Sequence, residues 1–236
     1  MNVEEILSTL KELGQESYKK VLLKHDIKEP LYGVKIEELQ KIRKQIKNGH
    51  ELALQLYDTG IYDAMYLAGL MVLPELMTTN QLQSWAERAN APVLREYTVA
   101  WVAAEGKHGM TKAAEWIKSR EEGIASTGWA TLANIVAITA DKDLDIPMLK
   151  NLLTYVAQNI NSSGNRVKQA MNGYVIAVGI YVKELNELAK QTGQTIGKVV
   201  VDKGDTACKV PFSVEYIEKA EGKGAIGKKK KSARCL

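Results

Sequence analysis

The sequence predicts an all-α fold in which helix pairs stack into a superhelix, and three observations predict it. Apolar residues recur at spacings of three and four over most of the 236 residues, which is the helical period. Helix breakers and capping signals punctuate that period at regular intervals. From about residue 35 to residue 185 the helices alternate at roughly 35–45 residues per pair, the repeat length of HEAT and armadillo arrays. One such pair cannot bury its apolar face alone, so neighbours stack into one continuous core with a curved, concave surface. Such surfaces bind extended partners, protein or nucleic acid, and the fold does not choose between them.

The elements follow in order. In "VKIEELQKIRKQIK", Ile36, Leu39, Ile42 and Ile46 line one face and leave Lys35, Lys41, Arg43, Lys44 and Lys47 on the flanks, an amphipathic helix with a basic outer surface. "HELALQLYDTG" and "IYDAMYLAGLMV" form a pair broken at Gly60. Thr78 stands three residues before Gln81, a capping-box spacing, and Pro92 falls where the first turn of the next helix begins. "TKAAEWIKS" pairs with "GWATLANIVAITA", and "DIPMLKNLLTYVAQNI" pairs with "RVKQAMNGYVIAVGIYVKEL" across the polar turn "NSSGN". The valine- and isoleucine-rich run Tyr174 to Val182 has strand-like composition, but with "NRVKQAMN" before it the stretch is long enough for a buried helix interrupted by Gly173 and Gly179. "KELNELAKQTGQTIGKV" supplies the last helix. The expected organisation is a single repeat domain over residues 1–220 and a basic, flexible tail over 221–236.

Charge is unevenly distributed. The net charge is +4, yet residues 221–236 alone hold six basic side chains (Lys223, Lys228, Lys229, Lys230, Lys231, Arg234) against Glu221, which leaves the rest of the chain close to neutral. A basic tail on a neutral body suits contact with a polyanion, and "KKKK" is equally a solubilising end. No apolar run approaches the roughly 20 residues of a membrane span, and "MNVEEILSTLKELG" has acids where a signal peptide has bases, so a cytoplasmic protein is expected. Cys208 and Cys235 show no metal-site spacing and are expected as free thiols.

Most motifs with chemical overtones fail on context. "GKGAIGKK" has the glycine and lysine spacing of a phosphate-binding loop, but Lys229 stands where Ser or Thr is required, and no strand precedes it. His25, His50 and His108 are isolated, and no metal site is expected. "SYKK" and "NSS" match short patterns by composition alone. The aromatic residues carry more. Trp85, Trp101, Trp116 and Trp129 fall in successive helices, where packing between repeats is the ordinary role; an exposed aromatic beside Arg or Lys would instead stack an unpaired base. Arg166 and Lys168 open a helix and, with Lys35, Lys41, Arg43 and Lys44, are placed to meet phosphates.

These segments resemble a known family, the DNA alkylation repair proteins of the AlkD type, which are HEAT-like-repeat DNA glycosylases. The resemblance runs through "LYGVKIEELQKIRKQI", "LYDTGIYDAMYLAGLM", "EWIKS" and "LLTYVAQNINSSGNRVKQAMNGYVIAVG", strongest over residues 31–185, while "VDKGDTACKVP" and "GAIGKKKKSARC" are similar to a sub-branch under the same family label. It implies a C-shaped solenoid whose positive concave face wraps duplex DNA, with no metal or organic cofactor. Family glycosylases set an Asp one turn after a Trp to stabilise the cationic sugar left as an alkylated purine departs, a task that suits a carboxylate. In register, that segment falls on "PVLREYTVAWVA": the Asp position lands near Thr98, neither residue is matched, and Glu96 is the nearest acid. The family's arginine position falls in "IASTGWAT", which has none, and its second tryptophan at Gly173 or Tyr174. Trp129 and Tyr174 are the shape substitutes.

The expectation is therefore a DNA-binding solenoid. Its candidate contacts are Lys35, Lys41, Arg43, Lys44, Arg166, Lys168 and Lys228 to Lys231, with Tyr97, Trp101, Trp129 and Tyr174 as aromatic groups near a lesion. As an enzyme it would be a cofactor-independent alkylpurine glycosylase, with Glu96 as the catalytic candidate; Glu96 is equally a surface partner for Arg95 or a hydrogen-bonding group. The alternative is a non-catalytic scaffold that binds a protein partner.

Overall fold

The computed structural model describes residues 1–47, 49–202 and 210–234; Cys208, Cys235 and most of "VDKGDTACKVP" lie outside them. Among the described residues all regular structure is helical, and the helices form the expected α-α superhelix. No helix among them is long and apolar enough to cross a membrane. Helices α1 (Val3–Leu13) and α2 (Glu16–Lys24) precede α3 (Ile36–Gln45), and α1 starts from a capping box between Asn2 and Glu5. The loop before α3 is pinned by Asp63, whose carboxylate accepts the N–H groups of Tyr32 at 2.6 Å and Val34 at 2.8 Å.

The pairs then follow as the periodicity predicts. Helices α4 (His50–Asp58) and α5 (Tyr62–Met71) turn at Gly60, whose positive φ of 70° suits a residue without Cβ. Helix α6 (Thr79–Arg88) begins at the Thr78–Gln81 capping box, and Pro92 opens the next helix. That helix is π-helical over Leu94–Val99 before it continues as α7 (Ala100–Glu105). The second half pairs α8 (Gly109–Trp116) with α9 (Glu122–Ile138), and α10 (Ile146–Asn159) with α11 (Asn165–Tyr181). Helix α12 (Asn186–Ile196) follows, then α13 (Ser213–Gly222), which the sequence reading does not anticipate. Its Ile217 packs tightly on Gly179 of α11, where any Cβ would collide. The glycine thus seats a neighbour and leaves α11 unbroken.

Two apolar clusters make the core. One spans α1 to α7 with Trp116, Ile124 and Ala233; the other runs from α8 to α13 around Trp129 and Tyr174. Helices α5, Leu94–Glu105, α9 and α11 all begin at one edge of the molecule and end at the opposite one. The first turns of α5 and α11 and the start of the π-helical segment line a common cleft, and Arg95 and Arg166 tie the first turn of α9 to the same side.

At the opposite edge the segment 226–234 crosses the four helix ends in turn. Gly227 N donates to Ile180 O at 2.8 Å, Lys230 N to Ala137 O at 2.8 Å, and Lys229 Nζ to Val136 O at 2.8 Å. Ala233 N meets Glu105 Oε1 at 2.8 Å, Arg234 Nε meets Glu105 Oε2 at 2.8 Å, and Arg234 Nη1 reaches Val72 O at 3.0 Å. The segment expected as a free tail is therefore a strap in its described part. The physical reason is that helix C-termini leave unpaired carbonyls and carry negative partial charge, which a basic chain satisfies twice over.

Candidate nucleic-acid interface

The π-helical turn Leu94–Val99 builds one wall of a cleft of about 700 Å³. Thr98 is fully buried against Gly69 of α5, where a Cβ would collide with the threonine methyl, so the two backbones approach unusually closely. This seating turns Glu96 and Tyr97 into the cleft. The Tyr97 ring stands edge-on to buried Trp101 at 5.6 Å, and Trp101 is braced in turn by Tyr66 at 5.9 Å. Tyr97 remains 47% exposed, so a rigidly backed aromatic face meets solvent.

The facing wall is the first turn of α11. Glu122 of α9 accepts Arg166 N–H at 2.7 Å, which satisfies one of the open donors at that helix start and fixes where Arg166 emerges. Asn165, Arg166 and Gln169 line the cleft from this side. Tyr18, Leu22, Leu23, Lys24 and His25 of α2 and its end close the third side, with Ile36 and Tyr62. Leu23 is 41% and Ile36 40% exposed, an apolar lip on a wet opening. Burial, with Asp63 adding to it, raises the Tyr18 phenol; burial and neighbouring phenols raise Tyr62, so both are neutral hydroxyls near pH 7. Lys24 and Arg166 share the lining with three acids, Asp26, Glu96 and Asp202, so its charge is mixed where a basic concavity is expected.

The structure brings only part of the expected set together. Glu96, Tyr97 and Arg166 share the cleft. Lys35 is exposed next to Ile36, and Lys168 is half-buried one turn from Asn165. Helix α3 carries the others away: Lys41 pairs with Glu38 at 2.7 Å, Arg43 donates to Leu70 O at 3.2 Å, and Lys44 borders a separate hollow beside Met71 and Leu73. Three aromatic expectations are corrected. Trp129 and Tyr174 are fully buried, packed against each other at 5.3 Å, and Trp101 is buried behind Tyr97, because each sits on a helix face turned into the stack. Trp85 and Trp116 are buried likewise. Of the lysine run, Lys229 turns inward to Asp141 at 2.7 Å, while Lys228, Lys230 and Lys231 are exposed at the strap edge. Glu105 shows what holds that edge: burial alone would raise its carboxyl, but the Ser232 hydroxyl, the Arg234 charge and two main-chain N–H groups outweigh this and lower it below the usual range.

The α2 wall is what the sequence reading misses. A signal was present, since "VLLK" on a nine-residue helix carries more apolar side chains than one face can bury, and Val21 and Leu23 are left exposed. Among the described residues no three His, Cys, Asp or Glu side chains gather in a metal-holding group.

Comparison with known proteins places this geometry in context. The family model described as DNA alkylation repair enzyme matches residues 6–196. Two uncharacterized relatives, Lin0241 of Listeria innocua serovar 6a and Lmo0209 of Listeria monocytogenes serovar 1/2a, are each 34% identical over 197 residues, covering 82% of this chain and 84% of the relative. A solved structure described as a new family of proteins related to the HEAT-like repeat DNA glycosylases with affinity for branched DNA structures superposes with a TM-score of 0.93 at 31% identity, covering 100% of both chains. The chain belongs to the DNA alkylation repair enzyme family.

Proposed function

We propose that this protein binds DNA in the cleft between α2, the π-helical turn and α11, and that branched DNA is its preferred form. The observation that carries the reading is the braced, half-exposed Tyr97 in one cleft with Arg166. An aromatic face next to a cation stacks a base that has lost its neighbour, and the apolar lip of Leu23 and Ile36 suits the flat face exposed where helical arms part. A continuous duplex offers a protein mostly phosphates and groove edges, which the mixed charge of this lining suits less well. Lys35 and Lys168, next in sequence to the lining residues Ile36 and Gln169, would meet phosphates. The structural neighbour's affinity for branched DNA supports the same reading.

Fluorescence anisotropy with a four-way junction and a linear duplex of equal arm length, over a salt series, tests it. The junction is expected to bind more tightly, with log K falling as log salt rises. Tyr97→Ala should weaken junction binding by roughly 1–3 kcal/mol, the range for removal of one base–aromatic stack. Equal affinity for the two DNAs, or a flat salt response, would overturn the proposal.

Excision of alkylated purines is the second reading, favoured by one observation, the position of Glu96 in the cleft lining. The departing base leaves a cationic sugar, and a carboxylate in the cleft is the group that would stabilise it.

A further inference from the structure

The lysine run does not lie at the cleft. Helices α9 and α11 are each 17 residues long, about 25 Å at 1.5 Å per residue, and they separate the cleft at their N-terminal ends from the strap at their C-terminal ends. The strap is held by its backbone: Gly227 N–H bonds Ile180 O and Lys230 N–H bonds Ala137 O, both at 2.8 Å. These bonds leave the Lys228, Lys230 and Lys231 side chains exposed at fixed positions. Lys230 lies over the Tyr181 ring at 5.6 Å, and Lys183 stands beside Gly227.

The acids of this edge are largely engaged. Asp141 pairs with Lys229 at 2.7 Å, Glu105 with Arg234 at 2.8 Å, and Glu221 with Lys190 at 2.9 Å. Lys190 also pairs with Glu187 at 2.7 Å, and Asp145 caps α10. The exposed carboxylates Asp143, Asp145, Glu184 and Glu187 thus stand against six exposed lysines, Lys142, Lys183 and Lys223 with the three of the strap, and the edge keeps a basic excess.

We propose that this edge is a second phosphate-binding surface, and that it takes a duplex arm other than the one whose branch point occupies the cleft. The proposal rests on the DNA reading above and adds to it a second point of attachment. A duplex arm seated at the cleft is separated from the strap lysines by the thickness of the molecule. A strap anchored at Ile180, Ala137 and Glu105 does not swing back to reach it. A partner with more than one arm meets both surfaces at once.

The experiment compares the full chain with the triple variant Lys228→Gln, Lys230→Gln, Lys231→Gln on the same junction and linear duplex. On the junction the slope of log K against log salt should become shallower by up to about 2.7, at about 0.9 for each phosphate that is no longer neutralised. On the linear duplex slope and affinity should stay unchanged. Arg166→Gln, at the cleft, should weaken both DNAs. Because Lys230 also covers Tyr181, the double variant Lys228→Gln, Lys231→Gln serves as a second measurement, with an expected change of up to about 1.8. An unchanged junction slope in both variants, or equal weakening on the two DNAs, overturns the second surface while the cleft reading stands. Failure of the unaltered chain to bind either DNA overturns both.

Discussion

At the scale of single residues, what a side chain does here is decided by which way its backbone turns it. Glu96 and Tyr97 are adjacent, and the π-helical turn sends both to the cleft, while Thr98 beside them is sealed against Gly69. Glu96 and Tyr97 were legible as candidates because an acid and an aromatic stand where the family's segment falls. Trp129 and Tyr174 were equally conspicuous in the sequence but are core residues, since an aromatic on a doubly packed helix reads like one on a surface until its neighbours are known. If Glu96 stabilises a sugar cation, Glu96→Gln should lower release of an N3- or N7-alkylated purine by about two to three orders of magnitude, on the scale of losing a single electrostatic stabiliser. Base release from the variant at the unaltered chain's rate would remove Glu96 from any such role.

Elements with local signals were legible; those defined by neighbours were not. The Thr78–Gln81 capping box and Pro92 at the next helix start are short-range features, and both appear where the sequence places them. Tyr174 to Tyr181 resolves as helix, with Val182 as its extended C-cap, because the length of the run that starts at Asn165 outweighs its β-branched composition. Helix α13 escaped notice, since only Ser213, Val214 and Ile217 of its ten residues are buried and its anchor is a glycine on another helix. The cap of α11 is of the same long-range kind: Glu122, 44 residues upstream, accepts Arg166 N–H. Glu122→Ala should therefore lower stability by about 0.5–2 kcal/mol, the cost of a missing helix cap, and weaken junction binding by displacing Arg166. Chemical denaturation and anisotropy together check this; a variant that binds as well as the unaltered chain would show that Arg166 does not need the cap.

For the whole molecule, the repeat period revealed the superhelix but not its closure. A solenoid holds each repeat only to its neighbours, whereas the strap joins Ala233 in the first cluster to a segment rooted by Ile217 in the second. The sequence showed the charge of that segment and not its use, because the carbonyls it meets become a row only after the helices have stacked. Glu105 is the acceptor at its far end, and its lowered carboxyl makes closure sensitive to acid. A depressed folded-state value contributes stability that is present above the ordinary glutamate range, near pH 4.3, and is lost as pH falls through the folded value. Glu105→Gln should therefore be less stable than the unaltered chain at pH 7, by about 1–3 kcal/mol for a part-buried charge-assisted cluster, and the gap should narrow below about pH 4. Denaturation midpoints at pH 7, 5 and 3 measure it; a gap constant with pH would mean that Glu105 is not the acid-sensitive acceptor.

The strap also imposes an order on synthesis. Arg234 bonds a carbonyl 162 residues earlier in the chain, at Val72, and every helix end the strap crosses is translated before it. At about 5–20 residues per second the interval between those two partners is roughly 8–30 s. For that time the finished helix ends meet only water, and the strap adds its tie between the two clusters last, after the packing of α8 and α9 has already joined them.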